Sequence, residues 1–208
     1  MHIDCDPGLF KKPVGKEGRS LLENMNDHHR SLSEWALSVL PDVKCDKILD
    51  IGCGGGMLIS LLAQRFPGAD IFGIDISEES VTLTKETNRD LVEKGKCRIS
   101  LGSVSEMPFE EGSFDLVTAF ETYFFWPDLD NDVRKAALTV RNGGHLIIVS
   151  ETYPHPDFRE RNDEAIRLCG LNILENGAMK EMMERCGLNV TVNVIEEKNW
   201  VAFVGRKV

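Results

Sequence analysis

The run Ile48-Leu49-Asp50-Ile51-Gly52-Cys53-Gly54-Gly55-Gly56 constrains this chain more than any other segment. A short apolar strand runs into a glycine cluster, and a helical pattern, Met57–Phe66, leaves it. Glycines at a strand-to-helix turn remove the Cβ obstruction and let backbone approach a ligand closely. Read as Asp-x-Gly-x-Gly-x-Gly, the spacing departs from the dinucleotide fingerprint. Counted from Gly52, Gly-x-Gly-x-x-Gly needs glycine at position 57, where this chain has methionine. Asp50, two residues before the first glycine, can help hold a ligand ammonium. Asp75 follows the loop by about 20 residues, at the end of a second strand, where a carboxylate can accept from both hydroxyls of a ribose. Ile76 is then placed to cover one face of an adenine. Asp75 alone serves any adenosyl ligand, so the glycine spacing carries the discrimination.

From Lys47 onward, short apolar runs alternate with helical patterns, the signature of βαβ units and a parallel sheet. The expected strands are Lys47–Ile51, Asp70–Asp75, Cys97–Leu101, Phe114–Phe120 and His145–Ser150. Ser77 is placed as an N-cap, with Glu78 and Glu79 in the first turn, and its helix is expected to reach about Lys94. Further helices are expected at Leu129–Val140, around Arg159–Cys169 and near Glu175–Cys186. Two closing strands, Asn189–Glu196 and Trp200–Gly205, are joined so tightly by Glu197-Lys198-Asn199 that they must be antiparallel. Ahead of this region, residues 1–20 read as a flexible or loosely docked arm. Asn26–Leu40 reads as one amphipathic helix that stops at Pro41.

The ordered motifs Ile48–Ala63, Gly73-Ile74-Asp75-Ile76-Ser77, Gly102–Phe109, Ser113-Phe114-Asp115-Leu116-Val117 and Arg141-Asn142-Gly143-Gly144 resemble those of class I S-adenosylmethionine-dependent methyltransferases. The resemblance covers roughly residues 43–208. It implies a Rossmann-like, doubly wound α/β fold with a seven-stranded, mostly parallel sheet of order 3-2-1-4-5-7-6. The last strand is antiparallel and helices lie on both faces. It also implies S-adenosylmethionine as cofactor, with Gly52, Gly54 and Gly56 lining its methionine and ribose, Asp75 on the ribose, and Ser103 and Val104 at the adenine edge. Asp50, Cys53, Ile76 and Phe120 complete the expected cofactor set. The family usually has an acid where this chain has Ser103. A serine hydroxyl can accept the adenine amino hydrogen bond, but without the charge assistance of a carboxylate. The segment Met25-Asn26-x-x-His29-x-x-Leu32-x-x-Trp35 resembles a subgroup of small prokaryotic members in which an N-terminal helix lies over the cofactor. Residues 1–42 are accordingly expected to form an arm and lid, and residues 43–208 the cofactor-binding domain.

Beyond the fourth strand, Ala119–Pro127 is rich in aromatic residues and could form an apolar pocket near a sulfonium, since aromatic faces attract cations. At least half of these aromatics are expected in the core, leaving Glu121 and Tyr123 as pocket residues. His29 on the lid, Glu121, and Tyr153 and His155 on the rim after the fifth strand, where Glu151 also lies, are the candidate catalytic groups. A general base is needed only if the methyl acceptor carries a proton at working pH.

A formal net charge of −10 repels a phosphate backbone, so nucleic acid is not the expected partner. The six cysteines are single and scattered, as in reduced cytoplasmic proteins, and no metal-ligand spacing stands out. No apolar run approaches the roughly 20 residues of a membrane span, and the N-terminus lacks the pattern of a secretory leader. A small-molecule acceptor is therefore expected. Methylation of a protein or RNA, and a binding module without catalysis, stand as alternatives; monomer and homodimer are equally open.

Overall fold

The computed structural model describes residues 8–208. Its sheet has seven strands: β1 (Lys47–Ile51), β2 (Asp70–Asp75), β3 (Cys97–Leu101), β4 (Phe114–Phe120), β5 (Val140–Ser150), β6 (Leu188–Ile195) and β7 (Trp200–Lys207). Their order is β3-β2-β1-β4-β5-β7-β6, with β7 antiparallel to both β5 and β6 and the other pairings parallel. The expected architecture and order are therefore those observed. The crossover helices are α4 (Met57–Arg65), α5 (Glu78–Thr87), α6 (Arg89–Glu93), α7 (Leu129–Thr139), α8 (Arg159–Cys169) and α9 (Asn176–Arg185). They follow three N-terminal helices, α1 (Gly8–Lys11), α2 (Gly15–His28) and α3 (Arg30–Ser38).

A sheet covered on both faces needs central strands apolar on both faces. Along β1, Ile48 packs into one core with α3 and α4, while Leu49 and Ile51 pack into the other with α7 and α9. The same alternation sends Leu116 and Val117 of β4, and Ile147 and Ile148 of β5, to opposite sides. Asp115 staples the sheet's other end: its Oδ2 accepts the N–H groups of Asp46 (2.8 Å) and Lys47 (2.7 Å), and its Oδ1 accepts from Arg141. Two of the family motifs thus meet away from the ligand end of the strands.

Three local expectations are corrected. Residues 8–20 are largely helical and docked, not a loose arm: Leu9 and Pro13 are buried, Arg19 of α2 pairs with Glu86 of α5 at 2.5 Å, and Ser77 Oγ donates to the Pro13 carbonyl at 2.5 Å. The part of the proposed arm before Gly8 lies outside the described residues. The single helix expected over Asn26–Leu40 breaks at His29, whose backbone leaves the helical region with ψ 0°. The long helix after Ser77 breaks at Asn88, because that side chain is diverted to the glycine loop. Its amide donates to the Gly56 carbonyl at 2.9 Å and its oxygen accepts from Ser60 at 2.8 Å. Ser77 does cap α5, accepting from the Ser80 amide at 3.1 Å.

Candidate active site

At the C-terminal ends of β1, β2 and β4, where parallel sheets of this kind bind ligands, lies a cavity of about 200 Å³. Its floor comprises Gly52 and Gly54 after β1, Asp75 and Ile76 after β2, Ser103 and Val104 after β3, and Glu121 and Thr122 after β4. Its roof is N-terminal: Phe10 and Lys11 of α1, Pro13, and Leu22 and Met25 of α2. Phe125 and Trp126 close one side, shared with a neighbouring cavity of about 470 Å³ that runs between α1 and the end of α8 at Arg167.

The glycine loop is held from three sides. Gly52 and Cys53 donate their N–H groups to the Ile74 carbonyl at 2.8 and 3.1 Å. Thr84 and Thr87 of α5 donate to the carbonyls of Gly54 (2.8 Å) and Gly55 (2.9 Å), and Asn26 of α2 donates to Gly55 O at 3.0 Å. Gly52 has φ +75°, and a Cβ there would sit 2.5 Å from the Thr122 hydroxyl. Only glycine brings that backbone to the cavity floor. Asp75 closes the loop, accepting from Gly54 N–H and Ser77 N–H at 2.9 Å each. Burial pushes its pKa up while those amides resist. A carboxylate has about four acceptor sites, so capacity remains toward the cavity. Ser103 Oγ caps the turn after β3 by accepting from Ser105 N–H at 3.2 Å, which leaves its hydroxyl hydrogen for a ligand.

Several expected site residues sit elsewhere. Asp50 lies behind the loop, 1 % exposed, with Oδ1 accepting from Thr118 at 2.7 Å and Oδ2 without a partner. Cys53 and Phe120 are buried in the core on the α3–α4 side, and Gly56 contacts α5 through Thr84 and Asn88 instead of lining the cavity. Tyr123 and Tyr153 belong to the opposite core, and His155 caps the turn before α8, its Nδ1 accepting from Asp157 N–H at 3.3 Å. Alternation along a strand decides Phe120: the next residue, Glu121, faces the ligand end. Of the aromatics in 119–127, Phe125 and Trp126 line the cavity.

Glu121 and His29 do come together, and Glu151 joins them. Glu121 takes a left-handed backbone (φ 54°), rare for a non-glycine residue, and its Oε1 accepts the Glu151 N–H at 2.6 Å. His29 Nε2 stands 4.0 Å from Glu121 Oε2 and 3.7 Å from Glu151 Oε1. His28 Nε2 reaches Glu151 Oε2 at 3.1 Å. Burial pushes Glu121 up to about 7 against the pull of His29. Burial lowers the His29 pKa, but the two glutamates outweigh it and leave it raised. The roof residues and Glu151 lay outside the expected site set. For Leu22 and Met25 the signal was their spacing with His29, one helix face at i, i+3 and i+7.

Burial also pushes Asp50 up to about 7, aided by Asp75. A carboxyl group whose folded pKa exceeds its unfolded value stabilises the fold below the unfolded pKa, near 4, and loses that contribution as pH rises toward the folded one. Asp50→Asn is therefore expected to gain roughly 2–3 kcal/mol relative to the ligand-free parent between pH 5 and 7. Urea unfolding at a series of pH values measures this; parallel curves for the two proteins would contradict it.

A family model described as a methyltransferase domain matches residues 49–148, the stretch from β1 to β5 that builds the cavity floor. Over this stretch the chain is a domain of the class I S-adenosylmethionine-dependent methyltransferase family. Among this family's curated members, it is 34% identical over 113 residues to a ubiquinone biosynthesis O-methyltransferase of Bordetella avium, covering 53% of this chain and 45% of that protein. It is 34% identical over 116 residues to nocamycin O-methyltransferase of Saccharothrix syringae, covering 54% and 40%. The chain thus spans less than half the length of these curated relatives. In fold it is similar to geranyl diphosphate C-methyltransferase from Streptomyces coelicolor, solved with Mg2+, geranyl diphosphate and S-adenosyl-L-homocysteine. The TM-score is 0.73 at 15% identity, over 98% of this chain and 88% of that one. The family's cofactor suits the residues present. The floor at Gly52 has no room for a Cβ, Asp75 has spare acceptor capacity beside it, and Asp50 leaves one buried carboxyl oxygen without a partner beneath the loop.

Proposed function

We propose that this chain is an S-adenosylmethionine-dependent methyltransferase of small-molecule acceptors. The observation that carries the proposal is the roofed cavity: the cofactor-type floor runs continuously from Asp75 to Glu121 and Thr122, and α1 and α2 cover it. When bound, the cofactor supplies a methyl carbon on a sulfonium that leaves as a neutral thioether. Asp75 holds the ribose hydroxyls, Ile76 and Val104 flank the adenine, and the Gly52–Gly54 backbone lies along the methionine end. Glu121 and His29 face the acceptor end and orient the acceptor. Phe10, Leu22, Met25 and Trp126 exclude water. For a displacement with a neutral leaving group, holding the reactants in line supplies much of the acceleration. A roof of helices suits a molecule that fits beneath it, and a small acceptor is in keeping with the chain's acidic charge.

The test is incubation with methyl-labelled cofactor and separate metabolite, protein and RNA fractions. Label is expected in the metabolite fraction. Label confined to protein or RNA, or cofactor binding without transfer to any fraction, would overturn the proposal.

A further inference from the structure

The four polar side chains at the acceptor end come from four separate places: His28 at the end of α2, His29 at the helix break, Glu121 after β4 and Glu151 after β5. On a continuous helix, neighbours i and i+1 do not face one another. The break at His29 turns both rings toward Glu151, and they meet edge to face with centroids 5.0 Å apart. The ligating atoms of His28, His29 and Glu151 all lie within 4.8 Å of one another, a group of the size that holds a metal ion. Glu121 Oε2 lies 4.0 Å from His29 Nε2. Divalent zinc takes nitrogen and oxygen ligands at about 2.0–2.2 Å, which sets ligand atoms about 3–3.5 Å apart. The closest pair here, His28 with Glu151, is already at 3.1 Å. His29 Nε2 stands 3.7 Å from Glu151 Oε1.

The geometry points to a site for a first-row divalent transition metal, ligated by His28 and His29 through Nε2 and by a carboxylate oxygen of Glu151, with Glu121 joining it to the cavity. Imidazole with carboxylate suits zinc, iron, cobalt or nickel better than calcium or magnesium, which favour all-oxygen shells. The scaffold around the group is held: Glu121 Oε1 accepts the Glu151 N–H, and the Glu151 backbone carbonyl accepts from Arg161 at 2.7 Å. Because Glu121 lines the cavity, an ion held here sits at the acceptor end. On the methyltransferase proposal, it selects acceptors with an oxygen that can bind the metal.

The test uses the whole chain, stripped with chelator and titrated with Co2+, whose visible absorption reports nitrogen and oxygen coordination, and with Zn2+ by calorimetry. One equivalent is expected to bind, with an absorption of imidazole–carboxylate character. His28→Gln, at an exposed position, and Glu151→Gln, which keeps the side-chain volume, are each expected to weaken binding by roughly 100-fold, the scale on which individual metal-shell groups act. His28→Gln is expected to leave S-adenosylhomocysteine affinity within about twofold, because His28 does not line the cofactor cavity. Absence of metal binding, thiolate-type absorption, or unchanged metal affinity in both variants would overturn the site. Failure of S-adenosylhomocysteine to bind while Co2+ still binds would instead overturn the cofactor proposal and leave the metal site standing.

Discussion

Replacing Asp75 by alanine is expected to weaken S-adenosylhomocysteine binding at least about 100-fold, because charge-assisted hydrogen bonds contribute about 1.5–3 kcal/mol each and two ribose hydroxyls lose theirs. The loss has a second source. Asp75 also accepts from the Gly54 and Ser77 amides at 2.9 Å, so its removal releases the middle of the glycine loop and the entry to α5. Asp75→Asn separates the two effects. It keeps one acceptor oxygen but no charge, and its expected weakening is about 10-fold on the same energy scale. Calorimetric titration of both variants, with thermal melts to verify folding, measures the effect. A loss below threefold in Asp75→Ala would detach this carboxylate from the ligand.

The second large effect is on the fold. Gly56→Ala is expected to destabilise the chain by about 3 kcal/mol. Left-handed backbone costs an L-residue about 1–2 kcal/mol and overpacking adds about 1–3. Gly56 has φ +85°, and a Cβ would sit 2.8 Å from the Thr84 Cα and 2.7 Å from the Asn88 amide. The Thr84 backbone cannot swing aside, and Asn88 is held by Gly56 O, Thr84 O and Ser60. For a chain of this size, that corresponds to a melting temperature lower by roughly 6–12 °C. Gly68→Ala is the matched control: its φ is +99° but nothing lies within 4 Å of the added Cβ. It is expected to show the backbone cost alone. Equal drops in the two variants would remove the packing argument.

The sequence carried the fold because each strand and helix of the sheet has its own local signal. Apolar runs bounded by glycine, the Ser77 cap and the short Glu197–Asn199 connection all act over a few residues. Interactions between distant segments carried the rest. Nothing local in the 8–20 segment announces that Arg19 pairs with Glu86 of α5, so its polar composition reads as an arm. The helix pattern over 26–40 is continuous in periodicity, and the break at His29 has no glycine or proline to mark it. At the site, spacing pointed to Gly52, Gly54, Asp75 and Ile76, and the family resemblance to Ser103 and Val104; all six line the cavity, whereas Cys53 and Gly56 do not. Tyr153 and His155 were misplaced because a rim position does not say which way a side chain points. Tyr153 turns into the core and His155 caps its own turn. Glu151 became informative only once β4 and β5 were seen side by side, with its N–H on Glu121.

The central claim is that the roofed cavity is the cofactor site. A crystal structure with S-adenosylhomocysteine tests it most directly. The expected density places the ribose on Asp75, the adenine between Ile76 and Val104 with its edge at Ser103, and the methionine end along Gly52–Gly54, with α1 and α2 closed above it. Density for the ligand in another place, or a cavity that stays empty at saturating ligand, would contradict the account.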